Sequence, residues 1–376
     1  MQIAQILDEL KQQDNFRILR SLKHLDKYVI YDDQKLLNLA GNDYLNLAND
    51  KKLKQEFLAN LKDENLYFSS SSSRSLSGNF EIFEEFEEFL EKKFNKKILH
   101  FNSGYGLNTS CLQALGLLKN TLFLADRLVH ASIIDGLRLS GAKFIRFKHN
   151  DIKHLQALVQ KYHKEFENII IISEALFSMD GDFAPIKEFV SLKKEYKNIK
   201  IYIDEAHSVG CFGDDGLGYV KFLGLEKYVD FLVFTFGKAI ASMGACMISD
   251  EKDFFINKAR AFIYSTAIAP INVAWTLYVF KNLHQFNEKR KNLSSIALNF
   301  KNLLSQKGEV LGDAYIVSLL LKQNDLADKF YKKLLENGIF APAIKEPTVP
   351  KNTARIRFSL HSDLNENDIK KIMEIF

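Results

Sequence analysis

The sequence predicts an α/β fold: a large domain with a mainly parallel central sheet, followed by a smaller C-terminal α+β domain. Between residues 95 and 250, seven short apolar runs alternate with segments of helical spacing, as strands alternate with helices in α/β proteins. After about residue 265 the order changes to two long helical stretches, a strand, a helix, a second strand and a closing helix. We therefore predict an N-terminal arm over residues 1–45, a large domain over 46–270 and a small domain over 271–376.

The predicted strands are short runs rich in β-branched and aromatic residues. Such runs are typical of strands that are buried on both faces of a parallel sheet. In the large domain they are Lys97–Phe101, Leu122–Ala125, Lys143–Phe147, Ile169–Ser173, Lys200–Asp204, Phe231–Thr235 and Gly244–Ser249. In the small domain they are Tyr315–Leu321 and Arg355–Leu360.

The composition argues against several classes of protein. The chain has 376 residues, of which 47% are apolar, and its net charge is only +4 from 51 basic and 47 acidic residues. So small a net charge indicates neither a nucleic-acid partner nor an anionic membrane surface. Apolar stretches such as Ile169–Ile172 are far too short to cross a bilayer.

The cysteines and the N-terminus indicate a cytoplasmic protein. Cys111, Cys211 and Cys246 are far apart and have no histidine at metal-ligand spacing, so we predict no metal site and a reducing compartment. The first residues have the pattern of an amphipathic helix and lack the basic and apolar regions of an export signal.

Two polar motifs each close a predicted strand: Asp204–His207 and Thr235–Lys238. Ligands of parallel sheets bind at the carboxyl ends of the strands. There, Asp204 can hold the charge of a protonated pyridine nitrogen. Lys238 is a candidate Schiff-base amine, because a desolvated lysine loses its proton readily. Together the motifs predict a pyridoxal phosphate site; the first motif also resembles a helicase metal-binding box, but the chain has no phosphate loop to support that alternative.

A phosphate cup is predicted at Ser103–Gly106, which follows the first strand of the large domain and opens a helix predicted over 107–118. Backbone N–H groups at the start of a helix have no intrahelical partner and favour an anion. Thr235 adds a candidate hydroxyl donor from another strand end. The alternative is a plain glycine turn between strand and helix.

Further candidate residues each have a simpler alternative explanation. His130 starts a helix just past a strand, where its ring either stacks on a pyridine or only caps the helix. Ser178 precedes an Asp-Gly pair that by itself predicts only a tight turn. Arg355 and Arg357 point to one face of a late strand, where a guanidinium either grips a carboxylate bidentately or lies solvated on an edge strand.

Taken in order, these motifs resemble the α-oxoamine synthases, which are fold-type I pyridoxal phosphate enzymes. Members of that family condense an amino acid with an acyl thioester and release carbon dioxide. The resemblance covers nearly the whole chain. Its motifs are Asn42–Leu45, Ser103–Tyr105, Asp126–His130, Ser173–Glu174, Phe177–Asp182, Asp204–Gly210, Thr235–Lys238, Tyr264–Thr266, Pro347–Pro350 and Thr353–Arg357.

The resemblance implies a role for each residue around the cofactor ring. Lys238 is expected to form the Schiff base and Asp204 to hold the pyridine nitrogen. His207 and Ser178 are expected to contact the ring hydroxyl, and His130 to stack on the ring. The expected catalytic residues are therefore Lys238, His130, Asp204 and His207.

The resemblance also implies how the phosphate is held and how the chain assembles. Gly104, Tyr105 and Thr235 are expected to hold the phosphate or its surroundings. Ser265 and Thr266 are expected to reach the phosphate of a neighbouring subunit, which makes the expected active unit a homodimer with a shared site.

The substrate contacts implied by the resemblance are Arg20, Asn42, His130, Thr348 and Arg357. Arg357 is expected to bind the amino-acid carboxylate and Arg20 to meet the acyl substrate. Within the family, the chain looks most like the members that join L-alanine to a pimeloyl thioester in biotin synthesis. Whether coenzyme A or an acyl carrier protein carries the acyl group stays open.

Two alternatives to this reaction remain. One is a sister α-oxoamine synthase that uses glycine or serine with an acetyl, succinyl or long-chain acyl thioester; the other is a catalytically silent partner subunit of the same fold.

The sequence also departs from the family pattern. Where the family usually has a glycine-rich loop, this chain has the serine run Ser69–Ser73 followed by Arg74. Lys345 occupies a position where an arginine is expected, and Ala239 replaces the glycine that commonly follows the Schiff-base lysine.

Overall fold

The computed structural model describes residues 2–12 and 15–376. Its contacts divide the chain into two compact units. The first unit contains Met1–Asn49, Met179–Asp182 and Lys291–Phe376, and the second contains Asp50–Ser178 and Phe183–Arg290. The boundaries predicted from the sequence, after residues 45 and 270, stay predictions.

The strands of the described residues are named in chain order. They are β1 Lys23–Leu25, β2 Tyr28–Tyr31, β3 Gln34–Asn38, β4 Ile98–Phe101, β5 Thr121–Asp126, β6 Lys143–Phe147, β7 Asn168–Glu174, β8 Ile199–Asp204, β9 Phe231–Thr235, β10 Ala245–Ile248, β11 Val310–Leu311, β12 Ile316–Lys322, β13 Ile339–Phe340, β14 Ala343–Ile344 and β15 Ala354–Ser359.

The α-helices are named in the same way. They are α1 Gln2–Gln12, α2 Lys51–Asn60, α3 Glu81–Phe94, α4 Gly104–Leu115, α5 Ala131–Ser140, α6 Ile152–Tyr162, α7 Ile186–Glu195, α8 Tyr219–Phe222, α9 Lys252–Lys258, α10 Arg260–Tyr264, α11 Pro270–Asn282, α12 Asn287–Leu304, α13 Asn324–Glu336 and α14 Glu366–Met373.

The second unit is built on a seven-stranded sheet with the order β4-β10-β9-β8-β7-β5-β6. Neighbouring strands from β9 to β6 are parallel, and β10 runs antiparallel to both β9 and β4. The predicted mainly parallel sheet is confirmed, and each predicted strand is present to within one residue at either end. Strands such as β5 are buried along their whole length, which explains their nearly continuous apolar sequences.

The first unit contains two four-stranded sheets, with the orders β11-β12-β15-β14 and β1-β2-β3-β13. Strand β15 lies between β12 and β14, and every one of its residues is buried. The alternative that Arg355 and Arg357 lie solvated on an edge strand is therefore wrong. The sheet that begins with β1 was not predicted, because its strands are short and their exposed residues break the apolar pattern.

In the described residues, no helix combines the length and the hydropathy that a membrane span requires. In the same residues, no group of three or more His, Cys, Asp or Glu side chains is arranged to hold a metal ion. Cys111, Cys211 and Cys246 are all buried free thiols.

Candidate active site

Asp204 ends β8 and lies at the carboxyl edge of the parallel sheet, where its side chain is only 4% exposed. Its Oδ2 accepts a hydrogen bond of 2.8 Å from Asn108 Nδ2, and its Oδ1 accepts one of 2.9 Å from the backbone N–H of Ala206. Both donors are neutral, so they orient the carboxylate without cancelling its charge. The site therefore presents a fixed negative charge to a cationic ligand.

Asn108 connects Asp204 to the rest of the site. Its Nδ2 also donates to Ser132 Oγ at 3.0 Å, and its Oδ1 accepts from the hydroxyl of Tyr202 at 2.6 Å. A carboxylate can only accept hydrogen bonds, so the amide nitrogen of Asn108 must face Asp204 and its oxygen must face Tyr202. Each of these side chains is buried, which makes the orientation of the amide unambiguous.

The sequence interpretation missed Asn108 and Tyr202. Two signals were available. Tyr202 and Asp204 are two residues apart on a strand and therefore share a face, and Asn108 is a polar residue two positions after Gly106 in the helix that follows the predicted phosphate cup.

His130 caps the N-terminus of α5, as its position past β5 predicted. Its Nδ1 accepts from the backbone N–H of Ser132 at 3.2 Å and lies 2.8 Å from Ser132 Oγ. Partial burial lowers the pKa of His130; the charge of Asp204 opposes this shift and that of Lys238 adds to it. The imidazole is therefore neutral at pH 7, with its proton on Nε2. The residue is only partly buried, which leaves ring surface available for stacking.

The phosphate cup is present, but its helix starts earlier than predicted. Helix α4 begins at Gly104, not at residue 107, and Ser103 caps it by accepting from the N–H of Gly106 at 3.1 Å. The N–H groups of the first turn are left without intrahelical partners. A Cβ atom at position 104 would lie 2.4 Å from Cγ2 of Thr235, so glycine is required where the helix start meets the end of β9.

Thr235 supplies the observation that tests whether a phosphate group fits here. Its Oγ1 is buried and has no hydrogen-bond partner among the described residues. A buried hydroxyl without a partner costs free energy, and an oxygen of a phosphate ester held at the start of α4 would satisfy it. The residues present therefore fit the phosphate of the predicted cofactor.

Tyr105 and Lys238 complete the surroundings. The hydroxyl of Tyr105 makes a short hydrogen bond to Asp135, and this bond raises the pKa of the phenol. Lys238 is half-buried, and its charge lowers the pKa of His130. Strands β8 and β9 are adjacent and parallel. Asp204 at the end of β8 and Lys238 just after β9 therefore lie at the same edge of the sheet.

His207 and Ser178 lie close to the ends of adjacent strands. His207 is buried in the turn after β8, with 6% of its surface exposed, and Ser178 is half-buried four residues after β7. Strands β7 and β8 pair in parallel so that Glu174 is opposite Asp204.

The segment with Ser265 and Thr266 is fixed by the side chain of Asn102, which follows β4. The Nδ2 of Asn102 donates to the carbonyl of Thr266, and its Oδ1 accepts from the N–H of Ile268 at 2.9 Å. Thr266 is exposed. Its predicted contact with a neighbouring subunit stays a prediction.

Apart from His130, the candidate substrate residues belong to the first unit, where the two arginines of β15 have different partners. Arg355 forms an ion pair of 2.6 Å with Asp180. Arg357 donates to Ser359 Oγ at 2.8 Å and to Asn42 Oδ1 at 3.1 Å. The structure thus brings Asn42 and Arg357 together, as neighbours within one unit.

Arg20 and Thr348 lie elsewhere in the first unit. The guanidinium of the exposed Arg20 lies 5.8 Å from the ring centroid of Tyr331. Thr348 is exposed, and its N–H donates to the carbonyl of Lys345 at 2.9 Å. The Nζ of Lys345 in turn lies 2.7 Å from a carboxylate oxygen of Asp328.

Comparison with known proteins places the chain in a family. The aminotransferase class I and II family model matches residues 34–376. The 8-amino-7-oxononanoate synthase of Haemophilus ducreyi is 43% identical over 381 residues, which cover 98% of each chain.

Solved structures agree with this placement. A serine palmitoyltransferase from S. paucimobilis with a bound PLP-myriocin aldimine is 25% identical, with a TM-score of 0.89 over 100% of this chain and 95% of the other. The 8-amino-7-oxononanoate synthase of Francisella tularensis is 29% identical, with a TM-score of 0.73 over 90% and 96% of the two chains. The chain therefore belongs to the aminotransferase class I and II family and, within it, to the α-oxoamine synthases that its motifs resemble.

Proposed function

We propose that this protein is a pyridoxal phosphate-dependent acyltransferase that condenses L-alanine with a pimeloyl thioester. The product is 8-amino-7-oxononanoate; the acyl carrier leaves as a free thiol, and the carboxyl group of alanine leaves as carbon dioxide. The observation that carries the proposal is the carboxylate of Asp204, oriented by Asn108 beside the neutral His130 and near Lys238. The relative that is 43% identical over 98% of both chains supports the choice of reaction.

Pyridoxal phosphate is the cofactor, and its ring is assigned to the second unit. When bound, it withdraws electrons from Cα of the amino-acid substrate and so makes the Cα proton removable. Asp204 holds the protonated pyridine nitrogen, and His130 stacks on the ring. His207 and Ser178 contact the ring hydroxyl.

The phosphate is held by groups that the fold leaves unpaired. The backbone N–H groups of Gly104 and Tyr105 point from the first turn of α4, and Thr235 Oγ1 has no other partner among the described residues. In a homodimer, Ser265 and Thr266 of the neighbouring subunit complete this set. Because α4 is 12 residues long, its dipole adds to the attraction for the dianion.

Lys238 moves the proton. Its Nζ would hold the cofactor in the substrate-free protein and would be free once alanine is bound. The freed Nζ then accepts the proton from Cα of alanine, and after condensation and loss of carbon dioxide it returns a proton to the same carbon. An amine positioned beside the Cα proton is an effective general base for this transfer.

The substrates are selected by residues of the first unit. Arg357, held by Ser359 and Asn42, is the proposed carboxylate contact, because guanidinium and carboxylate pair bidentately. Arg20 and Thr348 are the proposed acyl contacts. The buried free thiols of all three cysteines support our placement of the protein in the cytoplasm.

The proposal is tested with purified protein loaded with pyridoxal phosphate. L-Alanine, glycine and L-serine are each combined with pimeloyl-, acetyl-, succinyl- and palmitoyl-CoA, and the products are identified by mass. We expect turnover only with alanine and the pimeloyl thioester. Pimeloyl bound to an acyl carrier protein is then compared with pimeloyl-CoA by kcat/KM to identify the carrier.

One sister reaction has specific support, because a serine palmitoyltransferase superposes with a TM-score of 0.89. Turnover with serine and palmitoyl-CoA would establish that reaction and refute ours, as would turnover with glycine and a short acyl-CoA. An inert protein in all combinations would favour the silent-subunit alternative.

A further inference from the structure

Glu174 is a buried acid in the wall of the proposed cofactor site to which no role has been assigned so far. It is the last residue of β7 and pairs in register with Asp204, the last residue of β8. The two strand ends are joined further by a hydrogen bond of 2.8 Å from the N–H of Ala175 to the carbonyl of Asp204. Parallel neighbours in register project their side chains to the same face of a sheet, so Glu174 and Asp204 face the same space.

The carboxyl group of Glu174 has one oxygen in use and one unused. The backbone N–H of His130 donates to this carboxyl group. Its Oε1 is buried and has no hydrogen-bond partner among the described residues, while the whole residue is only 3% exposed. An unsatisfied oxygen at this depth is costly, and it indicates an interaction that a bound ligand completes.

The charges around Glu174 decide its protonation state. Burial raises its pKa most, and the charges of Asp204 and, to a smaller extent, Asp126 raise it further. Lys238 and the N–H of His130 lower it, and the result is a pKa of about 8. Two adjacent buried carboxyl groups do not ionise together at neutral pH. Asn108 and Ala206 donate hydrogen bonds to Asp204, whereas Glu174, with its raised pKa, keeps a proton at pH 7.

We propose that Glu174 is a further cofactor-contacting residue, a neutral carboxylic acid whose Oε1–H donates a hydrogen bond to an oxygen of bound pyridoxal phosphate. This inference rests on the proposed function. It also explains how the ring can meet a single charged carboxylate although two acids end adjacent strands: the neutral acid contributes a donor without a second negative charge. Through the N–H of His130, the same group positions the residue proposed to stack on the ring.

The test measures binding of pyridoxine 5′-phosphate to the cofactor-free protein by calorimetry between pH 6 and pH 10. This probe has no aldehyde and so cannot react with Lys238. If binding requires protonated Glu174, the affinity is highest below the pKa of Glu174 in the ligand-free protein and falls as the pH rises through that pKa. For the wild type we expect a constant affinity up to about pH 8 and then a loss of about tenfold per pH unit.

Two variants separate the proton from the shape of the side chain. Glu174→Gln keeps a neutral donor that does not titrate, so we expect an affinity within about threefold of wild type at pH 7 and no loss specific to the interval above pH 8. Glu174→Ala removes the donor, so binding is expected to weaken about tenfold at every pH. The glutamine variant carries the test even if the alanine variant does not fold.

The inference is overturned if the glutamine variant keeps the full wild-type pH dependence, or if a folded alanine variant binds the probe as the wild type does. The second outcome would mean that Oε1–H donates no hydrogen bond to the bound ligand. Failure of the wild type to bind the probe at any pH would instead overturn the cofactor assignment of the proposed function, so the two failures are distinguishable.

Discussion

Asn108 is predicted to be the residue on which the geometry of the cofactor site depends most. Asn108→Ala removes the donor to the charged Asp204 and leaves Tyr202 and Ser132 without their shared partner. A hydrogen bond to a charged group contributes about 1.5–3 kcal/mol and a neutral one about 0.5–1.5 kcal/mol. Asn108 is only 1% exposed, so water cannot easily replace its amide. We therefore expect a loss of about 3–5 kcal/mol in the free energy of unfolding.

The same substitution is expected to weaken ligand binding. With Asp204 no longer oriented, we expect binding of pyridoxine 5′-phosphate to weaken about 10- to 100-fold, which corresponds to the lost charge-assisted bond. Unfolding is followed by circular dichroism in urea on the cofactor-free protein, and binding by calorimetry.

Asn198→Ala is the matched control. Asn198 immediately precedes β8, at the opposite end of the strand from Asp204, and its Nδ2 donates to the carbonyls of His163 at 3.0 Å and Phe166 at 2.8 Å. Its loss should reduce stability without changing the affinity for the probe. The reasoning fails if Asn108→Ala is as stable as wild type, or if both variants weaken binding equally.

Three further predictions concern catalysis, packing and charge. Lys238→Ala should lose at least about 10²–10⁴-fold in condensation rate, because it removes the amine proposed to move the Cα proton; product mass over many turnovers measures this, and undiminished turnover would contradict it. Gly104→Ala should weaken binding of the phosphate-bearing probe, because the new Cβ lies 2.4 Å from Cγ2 of Thr235, and adding Thr235→Ser, which removes that methyl group and keeps the hydroxyl, should restore binding in calorimetry; no restoration would refute the steric explanation. Asp180→Ala should destabilise the fold by about 3–5 kcal/mol, because Arg355 is left 2% exposed without its carboxylate; an unchanged urea midpoint would show that the pair contributes nothing.

The sheet of the second unit was predictable because burial on both faces leaves a simple trace in the sequence. The centre of a strand such as β7, Ile169–Ile172, is apolar at every position. Turn residues or helices lie on either side of each such run. The positions of Asp204, Thr235 and Lys238 at or just after the carboxyl ends of β8 and β9 were predictable for a related reason; their roles stay predictions. In parallel sheets, polar residues placed directly after a buried run mark the edge where ligands bind.

The partners of these residues were not predictable, because they depend on contacts between distant segments. The bond from Asn108 to Asp204 joins residues 96 positions apart. The separate partners of Arg355 and Arg357 depend on the segments that pack against β15, whereas the alternation of the strand treats both arginines alike. Glu174 was part of a motif, but its raised pKa follows first from its burial and then from its register with Asp204.

The ion pair between Asp180 and Arg355 has a consequence for synthesis of the chain. The two residues are 175 positions apart, and the short segment Met179–Asp182 belongs to the same compact unit as Lys291–Phe376. A nascent chain on the ribosome therefore exposes these four residues long before their partners emerge. The first unit cannot be completed until β15 has left the exit tunnel, so its folding is a late event of translation, and a chain truncated before that strand lacks the cation that neutralises Asp180.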